Sequence, residues 1–512
     1  MTTAAQDQGV AGVLPETDEP FRIESHGVDY IPLSERWAKP KDVGWLWAGA
    51  SIQVEYFIYG AILMTFGFTF FQALSVIIIG NLSYFLLGLS SLQGPQAGTT
   101  VFGTNRAAYG PNGSRIISFF NWLTQLGFEV EGIILIVGAG LVLSDKAGFS
   151  PGDPAKVVFV IIAVAIQAIL PFLGHATMVK VLRWLTIPFV AIFAILLGFA
   201  IPHVTTASHH AGVGWPLYMA GLAFTITLSG LGWTECGSDY SRYLAPEAKK
   251  SSIVGWVFVS TAIPEILVMT LGAAVFTFVK GLGTGEAFTA LAHQSAIPSW
   301  FVVLFLIFAI FQLFAINALD LYSSGVTLQA LGLRVKRYVA VLIDCVIVLG
   351  FTIFAVLVTS FATYLGDFVF MVIVWIAPWF GIYMTDWVLR RFKYVPSQLQ
   401  RTGRDSLYYR NGGFFWPAII AQLVGMFAAA SGLSVTPKIY FTMPTWLNEV
   451  TVHTTFADFS VYLGIGVGAL VYLVLAYSSV RKQAAAQDRL LAAGTASEDR
   501  PAAGVGAALD LD

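Results

Sequence analysis

The chain has 512 residues, of which 56% are hydrophobic and only 11% are charged, and its mean hydropathy is +0.73. A soluble domain carries roughly 25% charged residues, so this composition excludes an ordinary soluble globular protein. The formal net charge of -2 gives no reason to expect a nucleic-acid partner. Apolar runs of about 20 residues recur from Trp45 to Val480, which predicts an all-α integral membrane protein in a lipid bilayer.

Twelve transmembrane spans are predicted in chain order. They cover residues 43–65, 68–91, 115–143, 155–175, 182–201, 215–236, 252–279, 299–325, 337–360, 363–389, 414–433 and 459–480. Residues 1–41 form a polar segment without the apolar region of a signal peptide, and residues 42–480 are expected to form the transmembrane domain. The segment 481–512 is rich in Ala, Gly and Asp and is predicted to be a disordered tail.

The basic residues predict the orientation of the chain. If the N-terminus is cytoplasmic, all 28 Lys and Arg residues lie on the cytoplasmic side except Lys146, Lys156, Lys280 and Lys438. Cytoplasmic loops carry an excess of Lys and Arg in membrane proteins. We therefore expect a multi-pass protein of the plasma membrane with both termini in the cytoplasm.

Two apolar segments are interrupted by glycines and polar residues. The first span holds Gly49, Gln53 and Glu55 at mid-membrane, and the sixth contains three glycines and two acids between Ser229 and Asp239. Glycine alone is common at contacts between membrane helices. Breaks at matching positions five spans apart, however, are typical of transporters built from inverted repeats. The sequence therefore predicts a secondary transporter with two five-helix halves.

Five short motifs resemble the nucleobase–cation symporter-1 family, and most closely its purine–cytosine permease branch. They are Ile31-Pro-Leu-Ser-Glu-Arg36, Gly94-Pro-Gln-Ala-Gly98 with Asn105-Arg-Ala-Ala-Tyr-Gly110, Gly232-Trp-Thr-Glu-Cys-Gly-Ser-Asp-Tyr-Ser-Arg-Tyr-Leu244, Asn317-Ala-Leu-Asp-Leu-Tyr-Ser323, and Ala377-Pro-Trp-Phe-Gly-Ile-Tyr-Met-Thr-Asp386. The resemblance implies a leucine-transporter-like fold, with a 5+5 inverted repeat followed by two C-terminal helices. It also implies a substrate that moves together with sodium or a proton.

A nucleobase is a flat ring with donors and acceptors along its edge, so its site needs an aromatic face and amide or carboxyl groups. Trp233, in the predicted break of the sixth span, resembles the family's stacking tryptophan, although some relatives carry theirs at the position of Gly230. Phe128 on the third span is a second stacking candidate. Anchoring at the membrane interface and plain packing are the respective alternatives.

The polar part of the predicted substrate site comes from the eighth and first spans. Asn317 and Asp320 lie three residues apart and share a helix face. They match paired polar positions of the branch, where the second residue is more often Asn. Gln53 matches a position that contacts substrate in the hydantoin-transporting relative, and a hydrogen bond between helices is its alternative role.

The resemblance also bears on the coupling ion. Sodium-dependent relatives hold the ion between carbonyls of the broken first helix, at Gly49 and Ile52 here, and hydroxyls of the eighth span. The matching positions on the eighth span are Phe314 and Ala315. Neither side chain offers the oxygen that a hard cation prefers. Sodium is therefore the less favoured coupling ion.

Acids within the membrane are the basis for predicting proton coupling. Such residues are costly there and usually mark ion or proton routes. Glu131 on the third span is the leading candidate and Asp320 is the second. For each acid taken alone, a structural hydrogen bond is the competing interpretation.

Two charged pairs and one helix step are predicted to act as gates. Asp239 and Arg242 lie at the cytoplasmic end of the sixth span, where a gate or a helix-end ion pair is expected. Asp386 and Arg390 form an i,i+4 pair on the tenth span. The step around Trp379 is predicted to bend beside the site as a lid.

Other function classes receive less support from the sequence. There is no Walker A motif, no metal-ligand spacing among the seven histidines and no nucleophile–His–acid arrangement, so we expect neither an enzyme nor a metal or cofactor beyond the coupling ion. A symporter of an amino acid or amine on the same fold stays open, because Glu55 and Glu235 are available to bind an amine. A membrane enzyme or channel is the third class. No oligomeric state is predicted.

Overall fold

The computed structural model describes residues 20–21, 27–149, 152–206, 212–284, 286–358, 361–433 and 457–492. In these ranges the regular secondary structure is helical, and eleven helices are long and apolar enough to cross a membrane. The shorter apolar helix Val54–Thr65 completes the first span. The predicted all-α architecture of about twelve spans is confirmed.

The helices follow the predicted spans in order. Their bounds, from the first span to the twelfth, are Pro40–Ser51 with Val54–Thr65; Phe70–Asn81, Tyr84–Ser90 and Gln93–Ala97; Pro111–Lys146; Asp153–Gln167 and Ile169–Phe172; Gly174–Ala200; Trp215–Ile226, Thr227–Leu231, Gly232–Cys236 and Gly237–Ser241; Lys250–Phe276; Ser299–Leu331; Arg337–Val358; Phe361–Leu389; Trp416–Ser431; and Ser460–Ala492. A short helix, Val101–Tyr109, lies between the second and third spans and is called the loop helix below.

The first span breaks at two residues. Ile52 has φ -94° and ψ 77°, and Gln53 is extended, with φ -149° and ψ 163°. The Gln53 side chain accepts a hydrogen bond from the backbone N–H of Glu55 at 3.0 Å and so caps the outer half-helix. A helix end inside a membrane leaves N–H groups that only protein can satisfy, and this cap stabilises the break.

The sixth span breaks at Ser229, which has φ -97° and ψ -126° between a regular helix and a 3₁₀ turn. Gly230 packs directly on the backbone of Ser83 and Tyr84, where an added Cβ would overlap it. The Gly230 N–H donates to the Ser83 hydroxyl at 3.0 Å. The two breaks thus lie five spans apart, as predicted, and the leucine-transporter-like repeat is confirmed.

Small residues bring the outer half of the first span against the seventh. Gly60 abuts the backbone of Met269, and Gly272 abuts the carbonyl of Phe57, so a side chain fits at neither glycine. Close backbone approach of this kind is how membrane helices gain packing energy, because lipid supplies no hydrophobic driving force between them. The seventh span therefore packs backbone to backbone against this half of the first span.

Part of the segment that was predicted to be a disordered tail is helical. The last helix continues past residue 480 to Ala492. Gln483 donates to the carbonyl of Leu407, and Gln487 donates to the carbonyl of Lys393 at 3.0 Å. Because Ala and Gln favour helix and these two amides are satisfied by the loop after the tenth span, the expectation was wrong for residues 481–492. Residues 493–512 lie outside the described ranges.

The part of the N-terminal segment that the structure describes packs on the same end of the molecule. The Ile31 N–H donates to the Gly98 carbonyl at 2.8 Å, and the Ala38 N–H donates to the Tyr243 carbonyl at 3.1 Å. These bonds join the segment to the loop after the second span and to the end of the sixth. The segment therefore extends the protein core beyond the first helix.

Candidate functional site

A small cavity lies between the two helix breaks. Its volume is about 10 Å³, which is room for about one water molecule. Aromatic rings, carboxyl groups and an amide meet there without any Lys or Arg, and the lining residues are Glu55, Tyr56, Tyr59, Gln125, Phe128, Leu228, Gly232, Trp233, Glu235, Ile316 and Asp320.

Both predicted stacking residues line this cavity. The Trp233 indole N–H donates to the Tyr56 hydroxyl at 2.8 Å, and its ring meets Trp47 edge-on with 5.3 Å between centroids. Phe128 meets Phe368 edge-on with 4.9 Å between centroids. Edge-to-face contacts fix the orientation of aromatic rings. The alternative role of Trp233 as an interfacial anchor does not fit its place at the break.

A buried carboxyl–amide pair forms the polar wall beside Trp233. Glu235 Oε1 accepts a hydrogen bond from Gln125 Nε2 at 2.7 Å. With its amide turned to face the carboxyl, Asn121 donates to Glu235 Oε2, also at 2.7 Å. Gln125 Oε1 and Asp320 Oδ1 are buried without a partner in the described part of the chain. Buried polar atoms are normally hydrogen-bonded, so these two are the acceptors that a ligand is expected to use.

The leading coupling acid lies just behind the cavity. Glu131 accepts a hydrogen bond from the Tyr59 hydroxyl at 2.5 Å, and the Glu55 carboxyl neighbours both groups. Glu55 also accepts from Gln53 Nε2 at 2.8 Å. Two adjacent buried carboxylates repel each other, which favours one shared proton between them. The Glu55–Glu131 pair can therefore hold a proton at the edge of the cavity.

Two predicted substrate residues do not line the cavity. Gln53 caps the outer half of the first span, as described above. Asn317 donates from Nδ2 to the Glu129 carbonyl at 3.1 Å and to Gln167 Oε1 at 3.0 Å. Asn317 therefore joins the eighth span to the third and fourth, while Asp320, on the next turn, reaches the cavity.

The positions expected for a sodium ion lie in an apolar setting. Gly49 packs against Leu182 of the fifth span. Ile52 lines an outward apolar cleft formed with the fifth and seventh spans. Phe314 and Ala315 pack into the hydrophobic core. No side-chain oxygen is contributed by any of these four residues.

An aromatic cluster, formed by Trp47, Tyr240 and Tyr322, lies next to Trp233 of the cavity lining, on the predicted cytoplasmic side. Trp47 meets Tyr240 edge-on at 5.4 Å, and Tyr240 lies 5.9 Å from Tyr322, both measured between ring centroids. Arg242 donates from Nη2 to the Tyr322 hydroxyl at 2.9 Å. The first, sixth and eighth spans are therefore held together below Trp233.

The two predicted gating residues of the sixth span have partners on other elements. Asp239 accepts from the Val101 N–H at 2.9 Å and from the Ser323 hydroxyl at 3.0 Å. Arg242 also donates to the Gly27 carbonyl of the N-terminal segment. The pair thus joins the sixth span to the loop helix, to the eighth span and to the N-terminal segment.

The predicted Asp386–Arg390 pair is present, with 2.7 Å between Oδ2 and Nε. It is fully buried, and Asp386 also accepts from the Tyr472 hydroxyl at 2.6 Å. Arg390 donates to Gln487 at 2.8 Å and to the Ala107 carbonyl at 2.7 Å. The pair therefore connects the tenth span with the twelfth and with the loop helix, away from the cavity lining.

The expected lid at Trp379 is not at the cavity. The tenth helix is continuous from Phe361 to Leu389, and Trp379 donates to Asn105 at 3.2 Å on the loop helix. Pro378 packs against Gly468 of the twelfth span, where only glycine leaves room. The position of the last two spans decides which side of the tenth helix meets the cavity, so Trp379 lies against the loop helix instead. Its role as a gate stays a prediction.

Gln125, Tyr56 and Tyr59 also line the cavity but were not predicted from the sequence. A signal for Gln125 existed, because polar residues at 121, 125 and 129 recur every fourth position along the third span and mark one helix face. Tyr59 stands four residues after Glu55 and shares its face in the same way. Tyrosines in an apolar span, however, are as common in packing as in function.

Two broken helices around a buried cavity, on a fold of two five-helix repeats, define a secondary transporter. The profile of the permease family for cytosine/purines, uracil, thiamine and allantoin matches residues 30–453, and the chain belongs to this family.

Known proteins of this kind resemble the chain over most of its length. It is 26% identical over 486 residues to the putative purine-cytosine permease YxlA of Bacillus subtilis (strain 168), covering 92% of this chain and 99% of that protein. It is 23% identical over 489 residues to the purine-cytosine permease fcyB of Emericella nidulans, covering 89% and 88% respectively. The fold is similar to that of Mhp1, a nucleobase-cation-symport-1 family transporter in a closed conformation with bromovinylhydantoin bound. That similarity has a TM-score of 0.66 at 19% identity and covers 92% of this chain and 99% of that chain.

Proposed function

We propose that this permease takes up a nucleobase or related heterocycle of the purine and cytosine class by proton symport. The observation that carries the proposal is the Trp233 ring at the break of the sixth span, beside the buried Gln125–Glu235 pair. A flat ring stacks on the indole while its edge meets acceptors from Gln125 and Asp320. The names of the two purine-cytosine permeases that the chain resembles support the same substrate class.

The proton is held by the Glu55–Glu131 pair. Proton binding neutralises a buried charge beside the cavity, and neutral groups are far less costly to enclose than charged ones. The loaded site then closes to the outside, and the aromatic cluster of Trp47, Tyr240 and Tyr322 parts to release ring and proton inward. Asp239 and Arg242 hold this cluster until the inward opening.

The protein lies in the plasma membrane with both termini in the cytoplasm. A cleft of about 230 Å³ at the loop helix supports this orientation, because it is lined by Arg106, Arg115 and Arg334. Burial lowers the pKa of Arg106 to about 10, so its guanidinium keeps its charge at neutral pH. The positive end of the molecule is thus expected to face the cytoplasm.

An amine or amino-acid symporter is the second candidate. The observation in its favour is that Glu55, Glu235 and Asp320 line the cavity without a basic residue. An acidic lining suits a cationic amine as well as the donor edge of a ring. A flat ring needs an aromatic face such as that of Trp233 at the helix break, whereas a cationic amine does not. We therefore favour a nucleobase over an amine as the substrate.

The test uses purified protein in liposomes with labelled cytosine and adenine. An inward proton gradient is expected to drive accumulation, and a sodium gradient alone is not. Hypoxanthine, uracil, allantoin, hydantoin, thiamine and a set of amines serve as unlabelled competitors. Competition by amines alone would favour the second candidate, an amine symporter. Uptake driven by a sodium gradient and unaffected by a proton gradient would refute proton coupling.

A further inference from the structure

A second buried acid contacts both helix breaks. Glu265 lies midway along the seventh span and is fully buried. Its carboxyl accepts hydrogen bonds from the Tyr84 hydroxyl of the second span and from the Ser229 hydroxyl at the break of the sixth. Glu265 neither lines the cavity nor belongs to the Glu55–Glu131 pair, so the mechanism above leaves it unused.

The partners of Glu265 are hydroxyl groups. Tyr56, three residues after the break of the first span, also lies within hydrogen-bonding reach, and Glu55 is close enough to repel its charge. In the described part of the chain Glu265 has no ion pair with Lys or Arg. A buried carboxylate without a cation is costly, and hydroxyl donors offset only part of that cost. Proton binding is the direct way to remove the charge.

A chain of hydrogen bonds connects Glu265 to the substrate-stacking ring. The Trp233 N–H donates to the Tyr56 hydroxyl at 2.8 Å, and the hydroxyls of Tyr56 and Tyr84 are 3.3 Å apart. In the 3.3 Å contact Tyr84 is the donor and Tyr56 the acceptor, and the same Tyr84 hydroxyl also faces Glu265. A phenol has one proton, so Tyr84 can donate to only one of these two groups at a time. An ionised Glu265 takes the Tyr84 proton in a hydrogen bond, and Tyr84 then has no proton to donate to Tyr56.

One step of this chain reverses when Glu265 takes up a proton. A protonated carboxyl donates one hydrogen bond, and the hydroxyl of Tyr84 or Ser229 must accept it. The indole N–H of Trp233 can only donate, so the hydrogen bond from Trp233 to Tyr56 keeps its direction. When Tyr84 accepts that bond, its own proton is available to Tyr56, whose oxygen can accept from Tyr84 and from Trp233 together.

We propose that Glu265 is a second proton-binding site, whose occupancy sets how firmly the two helix breaks are held. When protonated, Glu265 donates to Tyr84, and the hydrogen-bond chain continues from Tyr84 to Tyr56, which also accepts from Trp233; when ionised, Glu265 takes the Tyr84 proton in a hydrogen bond and the bond from Tyr84 to Tyr56 is lost. The titratable groups that face it are Glu55 and Tyr56 from the first span and Tyr84 from the second. The inference rests on the proposed proton symport and adds to it a site distinct from Glu131.

The first test needs no substrate, so its outcome is independent of which compound the protein carries. Infrared difference spectra are recorded on the protein in lipid as the pH is changed between about 5 and 9, a range that buried carboxyls reach. Glu265→Gln is expected to remove one pH-dependent band of a protonated carboxyl, while the exposed control Glu247→Gln removes none in the range for buried acids. Identical bands in wild type and Glu265→Gln would overturn the proposal.

The second test measures substrate affinity across the same pH range. Wild-type affinity is expected to change about tenfold, corresponding to one pKa unit of coupling, and Glu265→Gln is expected to flatten the profile. Tyr84→Phe keeps the carboxyl but cuts the path to Trp233, so it is expected to flatten the profile with the infrared band retained. Tyr84→Phe also tests the proposal if Glu265→Gln does not fold. A Tyr84→Phe profile equal to that of wild type would show that Glu265 does not act through this chain.

Discussion

Tyr59 donates a hydrogen bond to the carboxyl of Glu131 at 2.5 Å, and so ties the outer half of the broken first span to the third span. Glu55 lies one helical turn before Tyr59 and neighbours the same carboxyl. Tyr59 and Glu55 both line the cavity, whereas Glu131 lies behind them. Glu131 is therefore joined to the cavity lining through Tyr59 and Glu55.

Glu131→Gln is expected to abolish accumulation driven by a proton gradient while exchange of labelled for unlabelled substrate continues. The amide cannot carry the proton, but it still accepts from Tyr59. Counterflow and gradient-driven uptake in the same liposomes separate the two effects. Tyr59→Phe is the companion variant, since it keeps the acid and loses a bond to a charged group that contributes about 1.5–3 kcal/mol. Full accumulation by Glu131→Gln would remove Glu131 from the coupling role.

Trp233→Ala is expected to weaken substrate binding by roughly tenfold or more, because stacking of a base on an aromatic ring contributes about 1–3 kcal/mol. Trp233→Phe keeps a ring and loses the bond to Tyr56, so a smaller loss is expected. Equilibrium binding of labelled substrate gives both values. Trp300→Ala, at an exposed tryptophan, is the matched control. Unchanged affinity in Trp233→Ala would show that the substrate does not stack on Trp233.

Gly230→Ala and Gly272→Ala are expected to lower the thermal unfolding temperature. At each position the new methyl group would overlap the backbone of another span, and overpacking of this kind costs about 1–3 kcal/mol. Gly198→Ala and Gly255→Ala provide the controls, because nothing lies near an added Cβ there. In those helices Ala is favoured over Gly by up to about 1 kcal/mol. Equal effects at all four glycines would show that the close approaches do not matter.

Asp386→Asn is expected to destabilise the protein by about 3–5 kcal/mol, since it leaves Arg390 buried without its counter-charge. Asp405→Asn removes an i,i+4 pair with Arg401 of the same spacing, but both side chains there are exposed. A cost of at most about 0.5 kcal/mol is expected for that exposed pair. Chemical or thermal unfolding in detergent compares the two variants. A similarly small loss of unfolding free energy in both variants would show that the buried Asp386–Arg390 pair does not stabilise the protein.

The breaks in the first and sixth spans were predictable because a bilayer restricts backbone structure so strongly. A span that holds Gln53 and Glu55 at mid-membrane must leave the helix or satisfy those groups internally, and Gln53 does the latter. For the same reason, apolar length alone was enough to predict the number of spans. Residues 481–492 were misjudged because Ala and Gln suit both a helix and a solvated tail.

The site was less predictable than the fold. Trp233, Phe128 and Asp320 reach the cavity as expected, whereas Asn317 turns toward the third and fourth spans. A buried amide can be satisfied in several directions, and helix spacing does not decide among them. The orientation of Trp379 likewise depends on contacts with distant parts of the chain that no local pattern contains.

The central cavity is far smaller than the roughly 300–1,000 Å³ of ordinary ligand pockets. Side chains such as Leu228 must therefore move before a ring can enter, and only the fraction of molecules that have moved can bind. Measured affinity then equals the intrinsic affinity multiplied by that fraction. Leu228→Ala, which enlarges the cavity without removing a polar group, is expected to tighten binding and quicken association while it slows the closing step of each transport cycle.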